Sequence, residues 1–505
     1  MSQFRNRIPM RSDLRSIVPR VPRGDFRRSS GLVFLILLSI ATAQLAGCAT
    51  YRPAPIEPAA ILTNWKTTDP KVASAIVKSE TAAPTHFSLH DGIVLEEAIY
   101  AGLFFNPELR RVRAAFDVTV ASSETAGAWK DPNLSFDGEQ ILADVDHRLI
   151  WGGQLAVTIP LSGRPSIERA IAQTEAHRQL AVVLGAEIAL LTEIELSWID
   201  LATADTRIEL LELTIEDLDH LIEASARFMA AGAINVVEER LLKIGHAHVV
   251  EELLNAKAKR SETRLKMLQL IGLHPGHPWR FDATLPKVDS QVLEDHKESG
   301  VNALEAITRH PLLGEAIAAY AIAEQRLESE IRRQIPDLTI GLGGGREDGQ
   351  SRIRFGFGLI PLPLWNQNRE GISRAEASRA YAGAEVTAAI HELIQRRALA
   401  TATAQSARER LAHLLDVLSP LSKQQLEDAR RLMGLGQLDL KLLTDALEEY
   451  RRVRFEVLEA RAEVLRSQCT LNALLGSDPL RSLSPLAKTL DAKTTRTVEQ
   501  EKAKN

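Results

Sequence analysis

The sequence predicts a mainly α protein with a small β part, a duplicated unit of long coiled-coil helices plus four strands. Three observations predict it. Proline and glycine landmarks recur at one fixed offset. Apolar residues form a seam with a mean step of about 3.5 residues. Four short stretches alternate between apolar and polar side chains.

The 505 residues are 45% apolar, 25% charged and 5% aromatic, a folded rather than a disordered composition. A net charge of −5 gives no reason to expect nucleic acid as partner. Two cysteines, Cys48 and Cys469, are too few for a disulfide framework or a cysteine zinc site. One apolar run approaches a membrane span, so a polytopic helical membrane protein is excluded.

That run lies near the N-terminus. Residues 1–30 hold eight arginines and two acids, Asp13 and Asp25. An apolar core follows at residues 31–43, then Leu45-Ala46-Gly47-Cys48. A basic stretch, a short apolar core and a small-residue site make a secretory signal. Its ending resembles a bacterial lipoprotein signal, in which cleavage precedes an acylated cysteine, here Cys48. An ordinary signal or a membrane anchor is the alternative. Loss of residues 1–47 removes eight arginines and two aspartates and takes the net charge to −11. Ala49, in place of an aspartate, resembles the outer-membrane sorting pattern.

The landmarks order the rest. Pro107 and Pro311, Pro132 and Pro336, Gly232 and Gly436, Gly272 and Gly476, and Pro275 and Pro479 are each 204 residues apart. The chain therefore divides into a signal peptide (1–47), an N-terminal tether (48–88), a first repeat (89–280), a linker (281–300), a second repeat (301–485) and a polar tail (486–505). Each repeat begins with a helix, over about 92–128 and 302–334. Two strands follow, then two long helices joined by a tight turn.

No proline lies between Pro165 and Pro275, so a helix can run unbroken. The seam Leu184, Ile188, Leu191, Ile194, Trp198, Leu201 continues through Leu211 and Leu218 to Met229, interrupted by Asp205 and Ser225. A left-handed supercoil keeps such a seam in register. A helix from Ile167 to Met229 is about 95 Å long. Glycines at 232, 434 and 436 suit the turns, because glycine accepts positive φ. Pro420 predicts a kink or short break. The periodicity alone equally fits a soluble coiled coil or helical bundle.

The strands bear on that choice. Residues 149–159 place Leu149, Trp151, Leu155, Val157 and Ile159 on one face. In 352–359, Ile353, Phe355, Phe357 and Leu359 oppose Arg352, Arg354, Gly356 and Gly358. Residues 338–344 repeat the pattern, and 134–142 do so weakly. Arginines on one face and phenylalanines on the other suit a barrel with a wet lumen, Arg352 and Arg354 pointing inward. Four strands cannot close a wide barrel, and open edges are not tolerated in lipid. Three chains would supply twelve. A pair of soluble hairpins capping a bundle is the other reading. Gly341-x-Gly343-Gly344-Gly345 lacks the spacing of a phosphate loop.

In order and duplication these features resemble the TolC family of outer-membrane efflux proteins. The resemblance covers residues 85–485. It rests on Leu95-Glu-Glu-Ala-Ile-Tyr-x-Gly-Leu-x-x-Asn106-Pro107, Ile159-Pro160-Leu161, Pro361-Leu-Pro-Leu-Trp365-Asn-Gln-Asn-Arg and the glycine turns. Ser162-Gly163-Arg164 looks closest to members serving heavy-metal pumps. The resemblance implies a homotrimer with a 12-stranded β-barrel in outer-membrane lipid and an α-helical periplasmic barrel. It implies a passive exit duct without cofactor or catalysis. Its partners would be a periplasmic adaptor and an inner-membrane efflux pump of the resistance-nodulation-division class.

The resemblance also implies a ring of aspartates after the second turn. One ring position matches Asp445, where three carboxylates would favour cations; the other falls on Leu442. Asp439, Glu238 and Glu239 are further acidic candidates for the periplasmic aperture. Gly232, Ala233, Gly434, Gly436 and Leu438 mark turns that resemble adaptor-contact tips, with Leu438 where many members have arginine. For each acid a solvated helix face is the competing reading. An enzyme is disfavoured, since no triad order, metal-ligand cluster or phosphate loop is present. A periplasmic coiled-coil adaptor or scaffold lipoprotein is the alternative function; it should show one hairpin between β domains.

Overall fold

The computed structural model describes residues 51–66, 69–80, 87–89, 91–140, 149–230, 234–286, 307–347, 350–357, 364–435 and 440–475. Residues 1–62 and 63–505 are two separate units. Helix α1 (Pro58–Lys66) spans the boundary; every element named below lies in the second unit.

After α2 (Pro70–Glu80) come α3 (Leu95–Phe105) and α4 (Pro107–Thr125). The single helix expected over 92–128 is thus two. Proline disfavours helical geometry in the residue before it, and Asn106 sits at ψ 120°. The Asn106 carboxamide caps the new helix, accepting from the Leu109 N–H at 2.8 Å. Its Nδ2 donates 2.8 Å to the Leu270 carbonyl, tying the break to a distant helix end. One turn into α4, the guanidinium of Arg111 donates to Glu108 and holds that carboxyl below its ordinary range.

Strands β1 (Asn133–Gln140) and β2 (Leu149–Ile159) lead into α5 (Arg164–Ala230). Its 67 residues make it about 100 Å long. Helix α6 (Val236–Ile271) returns along it and ends at Gly272, in the left-handed region at φ 84°. The second half of the chain presents α7 (Pro311–Arg332), β3 (Leu338–Glu347), β4 (Gln350–Phe357), α8 (Arg369–His413), α9 (Ser419–Gly434) and α10 (Leu440–Leu475).

Heptad spacing holds the long helices together. Buried positions fall at Leu242, Val249, Ala256 and Thr263 on α6, and at Ala446, Val453, Ala460 and Ser467 on α10. On α8 the seam is mostly alanine: Ala375, Ala382, Ala389, Ala400 and Ala407. Small seam residues let helix axes approach closely. Both polar interruptions of the α5 seam are satisfied: Asp205 accepts from Arg260, and Ser225 Oγ donates 2.7 Å to the Ile222 carbonyl. The α5–α6 hairpin carries further rungs at Glu193–Lys266, 3.2 Å, and Glu212–Lys257, 2.9 Å.

At Pro420 the helix does not stop. Five residues, Leu414–Leu418, form a π turn between α8 and α9, with the Ser419 N–H bonded to the Leu414 carbonyl. Proline cannot donate to Asp416 four residues earlier and clashes with its carbonyl, and the wider turn accommodates both.

A second core lies where α3, α5 and α6 meet. Ile99, Leu103, Ile194, Trp198, Leu268 and Ile271 are all buried there. Each contributes roughly 1.5–3 kcal/mol by leaving water. Arg113 reaches the buried Glu187 carboxylate at 2.6 Å and the Leu103 carbonyl at 2.6 Å. Phe281, at the start of the expected linker, bridges to Ile93.

Candidate functional site

The four strands form one antiparallel sheet in the order β1-β2-β3-β4. Its register sets Leu134 beside Leu155, Leu155 beside Leu342, and Leu342 beside Phe355. One apolar row therefore crosses the whole sheet. Phe136, Trp151, Ile340 and Ile353 share that face, and all eight side chains are exposed, Phe136 and Phe355 at 79%. So much apolar surface in one patch is abnormal for a face that meets water.

The other face is polar and thin. β2 and β3 present Gly152, Gly341, Gly343 and Gly345; Gln154 lies over Gly341 and Gly343, and the Asp137 carboxylate lies over Gly152. A Cβ at Gly341 would sit 1.8 Å from Gln154 Nε2. Asp137 and Glu139 on β1 and Arg352 and Arg354 on β4, the two edge strands, supply most of this face's charges. Arg354 Nη1 donates to Asp137 Oδ2 at 2.9 Å across the bare glycines. Gly343, Gly344 and Gly345 thus lie inside a strand, where they allow close approach. Arg352 and Arg354 share this face, as alternation required. Asp137, in the weakly patterned strand, is a partner the sequence did not single out.

The Ser162-Gly163-Arg164 turn joins β2 to α5. Gly163 has φ 69°, and its carbonyl accepts from the Ser166 hydroxyl at 2.6 Å. All three residues have local structural work in that turn.

At the far end of the long helices the two hairpins share a core: Leu211, Leu218 and Leu221 from α5, Leu242 and Val249 from α6, Leu426 and Ala429 from α9, Leu440, Leu443 and Ala446 from α10. A cleft of about 350 Å³ lies between α5, α9 and α10, floored by Leu221, Leu426 and Leu443. Asp217 and Arg430, 3.4 Å apart, line it.

Glu238, Glu239 and Asp445 are engaged by neighbours at or within their own helices. Glu238 closes a capping box: Asn235 N–H donates to Glu238 Oε2 at 2.8 Å, while Asn235 Oδ1 accepts from the N–H groups of Val237 and Glu238. Glu239 lies 2.7 Å from Lys243. Asp445 lies 3.0 Å from Lys441 and is exposed, as is Leu442 one turn earlier. Gly434 ends α9, and Leu435 beyond it is exposed. Cys48, Gly232, Ala233, Gly436, Leu438 and Asp439 lie outside the described residues. Among the described residues no three metal-ligating side chains gather, and no helix is long and apolar enough to cross a membrane.

No family model matches the chain. It is 21% identical over 324 residues to the cobalt-zinc-cadmium resistance protein CzcC of Cupriavidus metallidurans, covering 64% of this chain and 76% of that protein. Among solved structures it is similar to the outer-membrane channel OprN, with TM-score 0.67 and 17% identity over 85% of this chain and 99% of that one. CusC, described as forming a transmembrane channel, matches with TM-score 0.65 and 15% identity over 78% and 97%. The outer membrane protein VceC of Vibrio cholerae matches with TM-score 0.63 and 16% identity over 76% and 96%. The chain therefore has the fold of the TolC-like outer-membrane channels.

Proposed function

We propose that this chain is the outer-membrane channel of a tripartite efflux system, a passive exit duct for cargo delivered by an inner-membrane pump through a periplasmic adaptor. The observation that carries the reading is the sheet. A face of Leu, Phe, Ile and Trp backs onto a face of Gly, Gln, Arg and Asp, and the whole is fused to helices of about 100 Å. Lipid accounts for the first face and water for the second. A periplasmic adaptor or scaffold would have one hairpin between β domains, whereas this chain carries two hairpins and a sheet with a water-facing and an apolar side.

Four strands leave two open edges, so the channel is a homotrimer with twelve strands. The 204-residue offset supports a duplicated protomer. Acylation at Cys48 tethers it to outer-membrane lipid. The far end of the hairpins is the periplasmic aperture. There Asp445 sets cation preference, with Asp439, Glu238 and Glu239 nearby, and the turns around Gly232, Ala233, Gly434, Gly436 and Leu438 meet the adaptor. The pump belongs to the resistance-nodulation-division class. The name of the curated relative supports metal cations as cargo. No step requires catalysis or a cofactor.

Planar-bilayer recording tests the reading. The purified mature protein should give discrete, cation-preferring conductance. Asp445→Ala should raise conductance and lower that preference severalfold, since a ring of three carboxylates is lost. No conductance from trimeric protein would overturn the duct. Wild-type preference in the variant would remove Asp445 from the aperture.

A further inference from the structure

The sheet's two edges carry opposite charge. On the polar face β1 ends in Asp137 and Glu139, while β4 begins with Arg352 and Arg354. Between them β2 has no ionisable residue along its length, and β3 shows only threonine and glycine on that face before Glu347 at its end. The register confirms the segregation. Asp137 opposes Gly152, Gly152 opposes Gly345, and Gly345 opposes Arg352. In the next polar row Ser135 opposes Gln154, Gln154 opposes Gly343, and Gly343 opposes Arg354. Each of these two rows thus runs from a β1 residue to an arginine on β4 with nothing charged between, while Glu347 lies one row further along β3, beside Gln350.

The two edges already attract each other within one protomer. Arg354 Nη1 lies 2.9 Å from Asp137 Oδ2, with about half of each side chain exposed. Neither edge has a further strand partner among the described residues. Exposed backbone edges pair with whatever strand is offered, so their chemistry selects the partner. A β1–β1 contact would oppose carboxylates to carboxylates, and a β4–β4 contact would oppose guanidiniums to guanidiniums. Only β4 of one copy against β1 of the next sets unlike charges together, and the alternating strand directions make that pairing antiparallel.

We infer that the acidic β1 edge and the basic β4 edge form a charge-coded seam that selects a second copy of this chain, head to tail, as the strand partner. Asp137 and Glu139 face Arg352 and Arg354 of the adjoining copy along the lumen side of each seam. A two-fold dimer is thereby disfavoured and a closed ring favoured, because a heterologous interface that closes makes a ring. The inference rests on the trimeric channel reading and names the residues that specify its assembly.

Charge reversal tests it. Three full-length variants are expressed and assembled in outer membranes: Arg352→Glu with Arg354→Glu, Asp137→Arg with Glu139→Arg, and all four changes together. Assembly is read by chemical crosslinking and by native mass in detergent. Each double variant should lose trimer by about tenfold or more, since cross-strand attraction becomes repulsion at every seam. The quadruple variant restores opposite edges and should recover trimer to near the wild-type level. Recovery also shows that a double variant failed through its seam and not through misfolding. Full trimer in both double variants, or no recovery in the quadruple variant, would overturn the seam. A monomeric wild type would instead overturn the channel reading on which it rests.

Discussion

Gly272 shows how much one residue can fix. It closes α6 in the left-handed region at φ 84°, and its N–H bonds the Leu268 and Gln269 carbonyls. A Cβ there would come 2.5 Å from the Phe105 carbonyl, at the break between α3 and α4. Trp65 Nε1 also donates to the Gly272 carbonyl at 3.0 Å. Strain and clash together should cost Gly272→Ala about 1–3 kcal/mol, read as a lower urea midpoint with unchanged slope. A midpoint equal to wild type would show that the loop yields freely. The role of Gly272 as a helix stop was legible from its position after an apolar run. The residues it packs against were not, because Phe105 and Trp65 lie far away in sequence and no local pattern connects them. Asn106 is similar. Pro107 announces a boundary, but nothing local says that the Asn106 carboxamide reaches Leu270.

At the scale of elements, periodicity was the reliable guide. The seam on α5 and the alternation in β2, β3 and β4 appear where the sequence placed them, since both patterns repeat often enough to outweigh exceptions. β1 was faint because Ser135, Asp137 and Glu139 alternate with only two large apolar residues. The alanine seam on α8 was missed for a related reason. Alanine is a weak hydrophobe, and only packing shows which face it buries. Pro420 forecast an irregularity, and the π turn is its form. Pro420→Ala should return an N–H to the helix, close the π turn into α-helix and raise stability by about 1 kcal/mol. A crystal structure of the variant that retains the π turn would assign it to another cause. Glu187 offers a second test between elements. Its carboxylate is buried and holds Arg113 on α4 against α5. Glu187→Gln should cost about 1–3 kcal/mol by thermal or urea unfolding. An unchanged midpoint would mean that the pair holds nothing.

The whole molecule turns on an imbalance. The helical body buries its own seams, but the sheet leaves its apolar face exposed and ends in two open edges. A protein dissolved in water has no use for such a surface. On the proposed reading lipid covers the face and further strands cover the edges, which would make the protomer one third of a barrel. The sequence carried this argument as far as strand count and alternation. It did not reveal that the charges sit at opposite edges, because that depends on strand order, which only the fold supplies. The most direct test is the oligomeric state of the mature protein extracted from outer membranes in mild detergent and measured by native mass. The account predicts three copies that dissociate on heating. A stable monomer recovered from the soluble periplasmic fraction would contradict it.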